Sequence, residues 1–114
     1  MFTDILTACR SSVDKDRLAA EKSIDQMATT NFGNLVEQCS LQLCDEMNSK
    51  ENRQLCATLI KNMILHQPKH AGKWESLSTE VKEKVKRHVL SCLASNVKEV
   101  RKATAITVAG KFIF

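Results

Sequence analysis

Among the residues able to do chemistry, Cys9, Cys39, Cys44, Cys56 and Cys92 stand out, together with His66 and His70 on either side of Gln67-Pro68-Lys69. Zinc would be the first chemistry to ask of thiols and imidazoles. Structural zinc sites, however, draw on closely spaced Cys pairs followed by a second pair at a fixed interval. Cys39 and Cys44 are five positions apart, no CxxC occurs, and the Cys residues fall mostly where a helical period wants a small apolar side chain. No metal site is expected. A Cys–His nucleophile pair would need a thiol in an electropositive pocket, and the sequence has no Gly-rich phosphate loop or acid–base constellation. The chain is therefore expected not to be an enzyme and to need no cofactor. An odd count of five Cys, spread over helix faces, fits reduced thiols and argues against a disulfide framework.

The second chemistry is phosphate binding by "KEKVKRH", residues 82–88, where Lys84 and Arg87 share a polar helix face. Glu83 interrupts that face, and no aromatic stacking platform accompanies it. The formal charge of +4 is a bias toward acidic partners and falls short of a polybasic nucleic-acid tail. A basic helical-repeat module for nucleic acid therefore stays open as the alternative reading.

The elements that carry these residues read as helices throughout. With three Gly, one Pro and no Tyr, the 114 residues offer few turns and few strand formers, so the fold class is all-α. Phe2, Ile5, Leu6 and Cys9 mark a short first helix, and "SSVDKD" offers hydroxyl and carboxylate caps for a second running to about Thr29. A third begins near Asn31 with Phe32, Leu35, Val36, Cys39, Leu43 and Met47 on one stripe, ending around Met47. Leu55, Cys56, Leu59, Ile60, Met63 and Ile64 give the fourth its apolar face, with Lys61 opposite. "LHQPKHAGKWE" then reads as a loop. Ser78 caps a fifth helix whose stripe is Leu77, Val81, Val85, Val89, Cys92 and Leu93, and a sixth starts after Asn96. No apolar run reaches the roughly 20 residues that span a bilayer, and the first residues lack a signal-peptide pattern. No membrane is expected, and the protein is expected to be intracellular.

These helices begin alike. "NSKENR" ending at Arg53 matches "NVKEVR" ending at Arg101, with "SVDKDR" ending at Arg17 as a weaker copy. Asn48 with Glu51, and Asn96 with Glu99, have the offset of a capping box. Three positions after each Arg stands a short residue (Ala20, Cys56, Thr104), and seven after it a β-branched apolar one (Ile24, Ile60, Val108). Self-similarity at roughly 40 residues with two helices per unit predicts an α-solenoid of HEAT or armadillo type. About three helical hairpins, six helices, divide the chain near 1–30, 31–66 and 74–114. The three arginines lie at the edge of their apolar stripes and are expected to form a ladder between stacked units. Trp74 is expected to close the loop over the seam between the second and third hairpins, the other possibility being a partner anchor. The apolar ending "ITVAGKFIF" suggests that more of the solenoid follows.

"DRLAAEKSI", "RQLCATLIKNMI", Trp74 with "ESLSTEVKEKVKRHVLSCLAS", and "VRKATAITVAG" together resemble, in order and spacing, the N-terminal region of the importin-β (karyopherin-β) nuclear transport receptors. The resemblance implies a superhelix of HEAT repeats whose first helices line the convex side and whose second helices line the concave side. It implies binding of the small GTPase Ran in its GTP state, with cargo or adaptor and nucleoporins held mainly by later repeats absent from this chain. It implies residence in cytoplasm and nucleus and at the nuclear envelope. On those second helices the candidate Ran-facing residues are Lys61 and Asn62, then Lys22, Asp25 and Gln26, then Lys98, Lys102 and Lys111. An ordinary solvated face is the competing reading for each, as it is for most surface charge. A generic HEAT scaffold for another complex remains a further alternative.

Overall fold

The computed structural model describes residues 2–63 and 72–111, and all of its regular elements are helical. In order they are α1 (Phe2–Cys9), α2 (Asp14–Thr30), α3 (Phe32–Cys44), α4 (Lys50–Lys61), α5 (Thr79–Ser91) extended by a 3-10 turn (Cys92–Ala94), and α6 (Lys98–Lys111). The proposed loop residues His66, Pro68 and His70, together with Ile64 and the apolar ending Phe112 to Phe114, lie outside the described residues, as does the Lys111 side chain. Among the described residues no helix is long and apolar enough to cross a membrane.

The helices stack in two layers. α3 packs on α4 within its hairpin, α3 lies beside α5, and α4 lies beside α6. Leu35, Val36, Cys39 and Leu43 of α3 meet Cys56, Ala57 and Ile60 of α4 and Val85, Val89 and Cys92 around α5 in one core, and all of these are buried. The inward set recurs at helical spacing, which is why apolar periodicity located it. The repeat register holds as well: Ala20, Cys56 and Thr104 are all buried at the position three after their arginine. All five cysteines are free thiols. Burial pushes the thiols of Cys9, Cys44 and Cys92 up, and Cys39 is raised well above its ordinary value first by its hydrogen bond with Cys56 and then by burial. Those four thiols therefore have little thiolate character.

Several boundaries differ from the expectation, each for a local reason. α3 stops at Cys44, because Asp45 turns extended (φ −81°, ψ 107°) and its carboxylate accepts the Met47 N–H at 2.9 Å. Met47 consequently leaves the core and is 92% exposed. The residue capping α4 is Ser49, whose Oγ accepts the Asn52 N–H at 3.1 Å. Asn48, the expected cap, is drawn aside because its Nδ2 donates to Gln42 Oε1 at 2.8 Å. α2 has no side-chain cap at Val13; instead Ser11 Oγ accepts the Val13 N–H at 3.0 Å. Leu93 turns outward because the 3-10 turn advances about 120° per residue in place of 100°. Ser78 caps α5 as its position predicts, accepting from Val81 N at 3.2 Å.

The first hairpin joins the stack differently from the other two. α1 packs on α2 and α4, and α2 packs on α1 and α3. α2 therefore does not run alongside α4 as α4 runs alongside α6. A polar network holds α1 across the α3–α4 turn: Arg10 Nε donates to Asn52 Oδ1 at 2.9 Å, and Asn52 Nδ2 donates to Thr7 Oγ1 at 3.3 Å. Thr3 Oγ1 adds a bond to Gln42 Oε1 at 3.2 Å.

Candidate functional site

The exposed sides of α4 and α6 form one continuous surface. Thr107 Oγ1 of α6 donates to the Ala57 carbonyl of α4 at 3.1 Å, and Lys50 Nζ reaches Glu99 Oε2 at 3.3 Å across the N-terminal ends. Those two contacts make the helices parallel and fix their register. Glu51, Gln54, Thr58 and Lys61 recur at three- and four-residue steps along the solvent side of α4, while Lys98, Lys102 and Ala105 do the same on α6. Lys50 and Glu99, the pair that joins the two helices, were not singled out from sequence. Their matching places one and two positions into the two "Ser/Val-Lys-Glu" helix starts were the available signal. The Glu99 carboxyl is held below its ordinary range by its own backbone N–H and then by Lys50.

The candidate residues fall on this surface unevenly. Lys98 and Lys102 are exposed at the N-terminal end of α6, level with Lys50 and Gln54. Lys61 and Asn62 are half-buried at the far end of α4, about 10 Å further along the axis at 1.5 Å per residue. Lys61 sits in the last turn, where a cation also complements the helix dipole. Lys22, Asp25 and Gln26 are exposed on α2, which belongs to the separately packed first hairpin. The α4–α6 surface is the part that the structure assembles, and α2 stands apart from it.

The structural residues divide too. Arg53 is 1% exposed; its Nε donates to the Leu43 carbonyl at 2.8 Å and its Nη2 to Ser95 Oγ at 3.4 Å. Arg17 and Arg101 stay within their own turns, donating from Nη1 to the Ser11 carbonyl at 3.2 Å and the Ser95 carbonyl at 2.7 Å. Among the described residues a continuous ladder is not formed, because of the three arginines only Arg53 bridges successive hairpins. Trp74 is buried in the common core, the same cluster that holds Met63 at the end of α4 and that Leu77 packs against. The basic stretch of α5 lies in the other layer and is stitched down: Lys84 Nζ is 3.9 Å from Glu37 Oε2, and Lys86 Nζ is 3.7 Å from Glu83 Oε1. Lys84 and Lys86 are thus partly committed to neighbouring carboxylates, while Arg87 is exposed. Among the described residues no group of three or more His, Cys, Asp or Glu could hold a metal ion.

A family model described as the Importin-beta N-terminal domain matches residues 20–95. The chain belongs to the importin-beta family. Solved members superpose closely. A Kap95p structure, reported as Kap95p binding that induces the switch loops of RanGDP to adopt the GTP-bound conformation, matches with a TM-score of 0.88 at 26% identity over 95% of this chain. The Kap95:Nup1 complex matches with a TM-score of 0.86 at 27% identity over 95% of this chain. Importin beta in an ammonium sulfate condition gives 0.88 at 25% identity over the same 95%. This chain spans 13% of the length of each of those importin-beta chains. No curated protein sequence matches it. The stacked hairpins are thus the HEAT-repeat solenoid of the importin-beta fold.

Proposed function

We propose that this chain is the N-terminal part of a nuclear transport receptor and that it contributes to docking a Ran-type small GTPase in its GTP form. The observation that carries the reading is the likeness to Kap95p across 95% of the chain, in a protein whose binding acts on the switch loops of RanGDP. The docking surface is the solvent side of α4 and α6, with Lys61, Asn62, Lys98 and Lys102 facing acidic groups of the GTPase and Lys22, Asp25 and Gln26 of α2 extending the contact. Cargo or adaptor and nucleoporins bind mainly through repeats outside this chain, and the receptor works between cytoplasm and nucleus at the nuclear envelope.

No chemistry is needed for this role. A GTPase whose two nucleotide states differ in affinity for the scaffold shifts the scaffold's own equilibrium by that difference, and by linkage releases or retains whatever else is bound. The test is charge reversal. Lys61→Glu combined with Lys102→Glu lowers affinity for GTP-loaded Ran by at least about tenfold, about 1.4 kcal/mol, in a variant that stays folded at the temperature of the measurement. Unchanged affinity with a folded variant overturns the assigned face.

A further inference from the structure

Met47, in the turn between α3 and α4, carries the most exposed large apolar side chain of the described residues, at 92%. Hydrogen bonds on both sides hold that turn. The Asp45 carboxylate accepts the Met47 N–H at 2.9 Å, and the Asn48 N–H donates to the Asp45 carbonyl at 3.1 Å. Asn48 Nδ2 is fixed on Gln42 Oε1 at 2.8 Å, and Arg53 Nε on the Leu43 carbonyl at 2.8 Å just before the turn begins. None of these bonds uses the Met47 side chain, and the core cluster does not include it. Its thioether can therefore change chemically while the turn and the helices behind it stay as they are.

A chain with five cysteines would be expected to meet an oxidant at a thiol. Here the thiols are sheltered. Cys39, Cys56 and Cys92 are buried, and Cys9 and Cys44 are half-buried with pKa values raised, first of all by burial. A thiol must ionise before it attacks a peroxide, whereas a thioether is nucleophilic as it stands. The other two methionines among the described residues are shielded: Met27 is half-buried and Met63 is buried. Asp45 and Glu46, both exposed, stand just before Met47 in the turn, and nearby carboxylates favour the positive charge that grows on sulfur as it gives up its electron pair.

We propose that Met47 is a reversible oxidation site, a thioether on the α3–α4 turn that takes an oxygen atom from hydrogen peroxide and is restored by methionine sulfoxide reductases. In the forward step the sulfur lone pair attacks one peroxide oxygen, the S–O bond forms and the O–O bond breaks. The departing hydroxide takes the proton left on the transferred oxygen and becomes water, so sulfur is oxidised by two electrons and the peroxide is reduced by two. On return a dithiol supplies two electrons and becomes a disulfide, and the sulfoxide oxygen leaves as water. The reduced side chain is apolar and the oxidised one is polar and chiral, so the same turn offers two different surfaces. The site is independent of the GTPase reading, and its test needs no partner.

The test treats the folded chain with dilute hydrogen peroxide, removes the peroxide with catalase, alkylates the thiols after unfolding, and maps the peptides by mass spectrometry. Sulfoxide is expected at Met47 at least about tenfold faster than at Met27 or Met63, with all five cysteines recovered as alkylatable thiols. The rate at Met47 should be flat between about pH 6 and 8, where a thiolate reaction would climb. The oxidised chain keeps the melting temperature of the parent, and the two stereospecific reductases with dithiothreitol return Met47 to the thioether. Met47→Leu removes the fast phase and folds as the parent does. Oxidation of any cysteine ahead of Met47, equal rates at Met47 and Met27, a lower melting temperature once Met47 is oxidised, or a sulfoxide that the reductases leave in place overturns the proposal.

Discussion

Arg53 Nη2 lies 3.4 Å from Ser95 Oγ while Arg53 Nε donates to the Leu43 carbonyl at 2.8 Å, so a single buried guanidinium ties the end of α3 to the turn before α6. Its contact with Glu46 at 3.7 Å adds little, because that carboxylate is largely exposed. Arg53→Ala would leave the Leu43 carbonyl unpaired and open a cavity, at a cost of about 2–4 kcal/mol. The melting temperature followed by circular dichroism should drop by roughly 10 °C or more. Lys61→Ala, in the last turn of the same helix, should stay within about 0.5 kcal/mol of the parent. Equal shifts for the two variants would reverse the assignment of inward and outward sides.

Asn52 is buried, accepting from Arg10 and donating to Thr7. Asn52→Ala should release α1 in particular, at about 1–3 kcal/mol for the polar groups left unpaired. Hydrogen exchange is the suitable readout, with protection lost across residues 5–9 well before α3 and α5 are affected. Uniform loss across all helices would show that α1 is not separately docked.

The α6 threonines give an opposed pair. Thr104 Oγ1 is buried with no hydrogen-bond partner among the described residues, whereas Thr107 Oγ1 lies within donating distance of the Ala57 and Ala103 carbonyls, at 3.1 and 3.0 Å. Thr104→Val removes an unsatisfied hydroxyl at constant shape and should be neutral or stabilising by up to about 1 kcal/mol. Thr107→Val should cost about 1–2 kcal/mol. Denaturant midpoints at equal m-value distinguish the two.

His88 Nδ1 lies 3.0 Å from Ser40 Oγ, joining α5 to α3. Burial lowers its pKa, followed by Arg87; Glu37 opposes the shift and Lys84 adds to it. A lowered folded-state pKa means that the unfolded chain takes up the proton first, so stability is full above about pH 6.5 and declines as pH falls toward and through the folded value. The melting temperature of the parent should therefore fall more steeply than that of His88→Gln between about pH 7.5 and 5.5. Parallel pH profiles would contradict the shift.

The six helices and their inward faces were legible because apolar side chains at Leu35, Val36, Cys39 and Leu43, or Val85 and Val89, repeat at the helical period. Ser78 was legible because an N-cap is a local bond. What escaped depends on distant partners. Asn48 looks like a cap until Gln42 takes its side chain, and no local rule reveals that. The arginine starts were grouped by overall likeness, Arg53 with Arg101, yet the hydrogen bonds pair Arg17 with Arg101. Both follow a Ser-x-Val turn, Ser11 to Val13 and Ser95 to Val97, in which the serine accepts the valine N–H and lends its carbonyl to the arginine six positions on. Arg53 lacks that Ser-x-Val turn, with Met47 six positions before it, and its guanidinium is buried on the Leu43 carbonyl and Ser95. Of the candidate surface, the α4 and α6 lysines could be found from the helical wheel. The separate packing of α2 could not, because hairpin-to-hairpin docking is set by side chains from three different helices.

The proposed role is nucleotide-controlled docking of a Ran-type GTPase on a scaffold that contains this chain. The most direct measurement is the affinity of the chain, and of a longer importin-beta chain carrying it, for Ran loaded with a non-hydrolysable GTP analogue and with GDP. Binding of the GTP form tighter by at least about tenfold is predicted. Equal affinities for the two forms, or no binding of either to the longer chain, would contradict it.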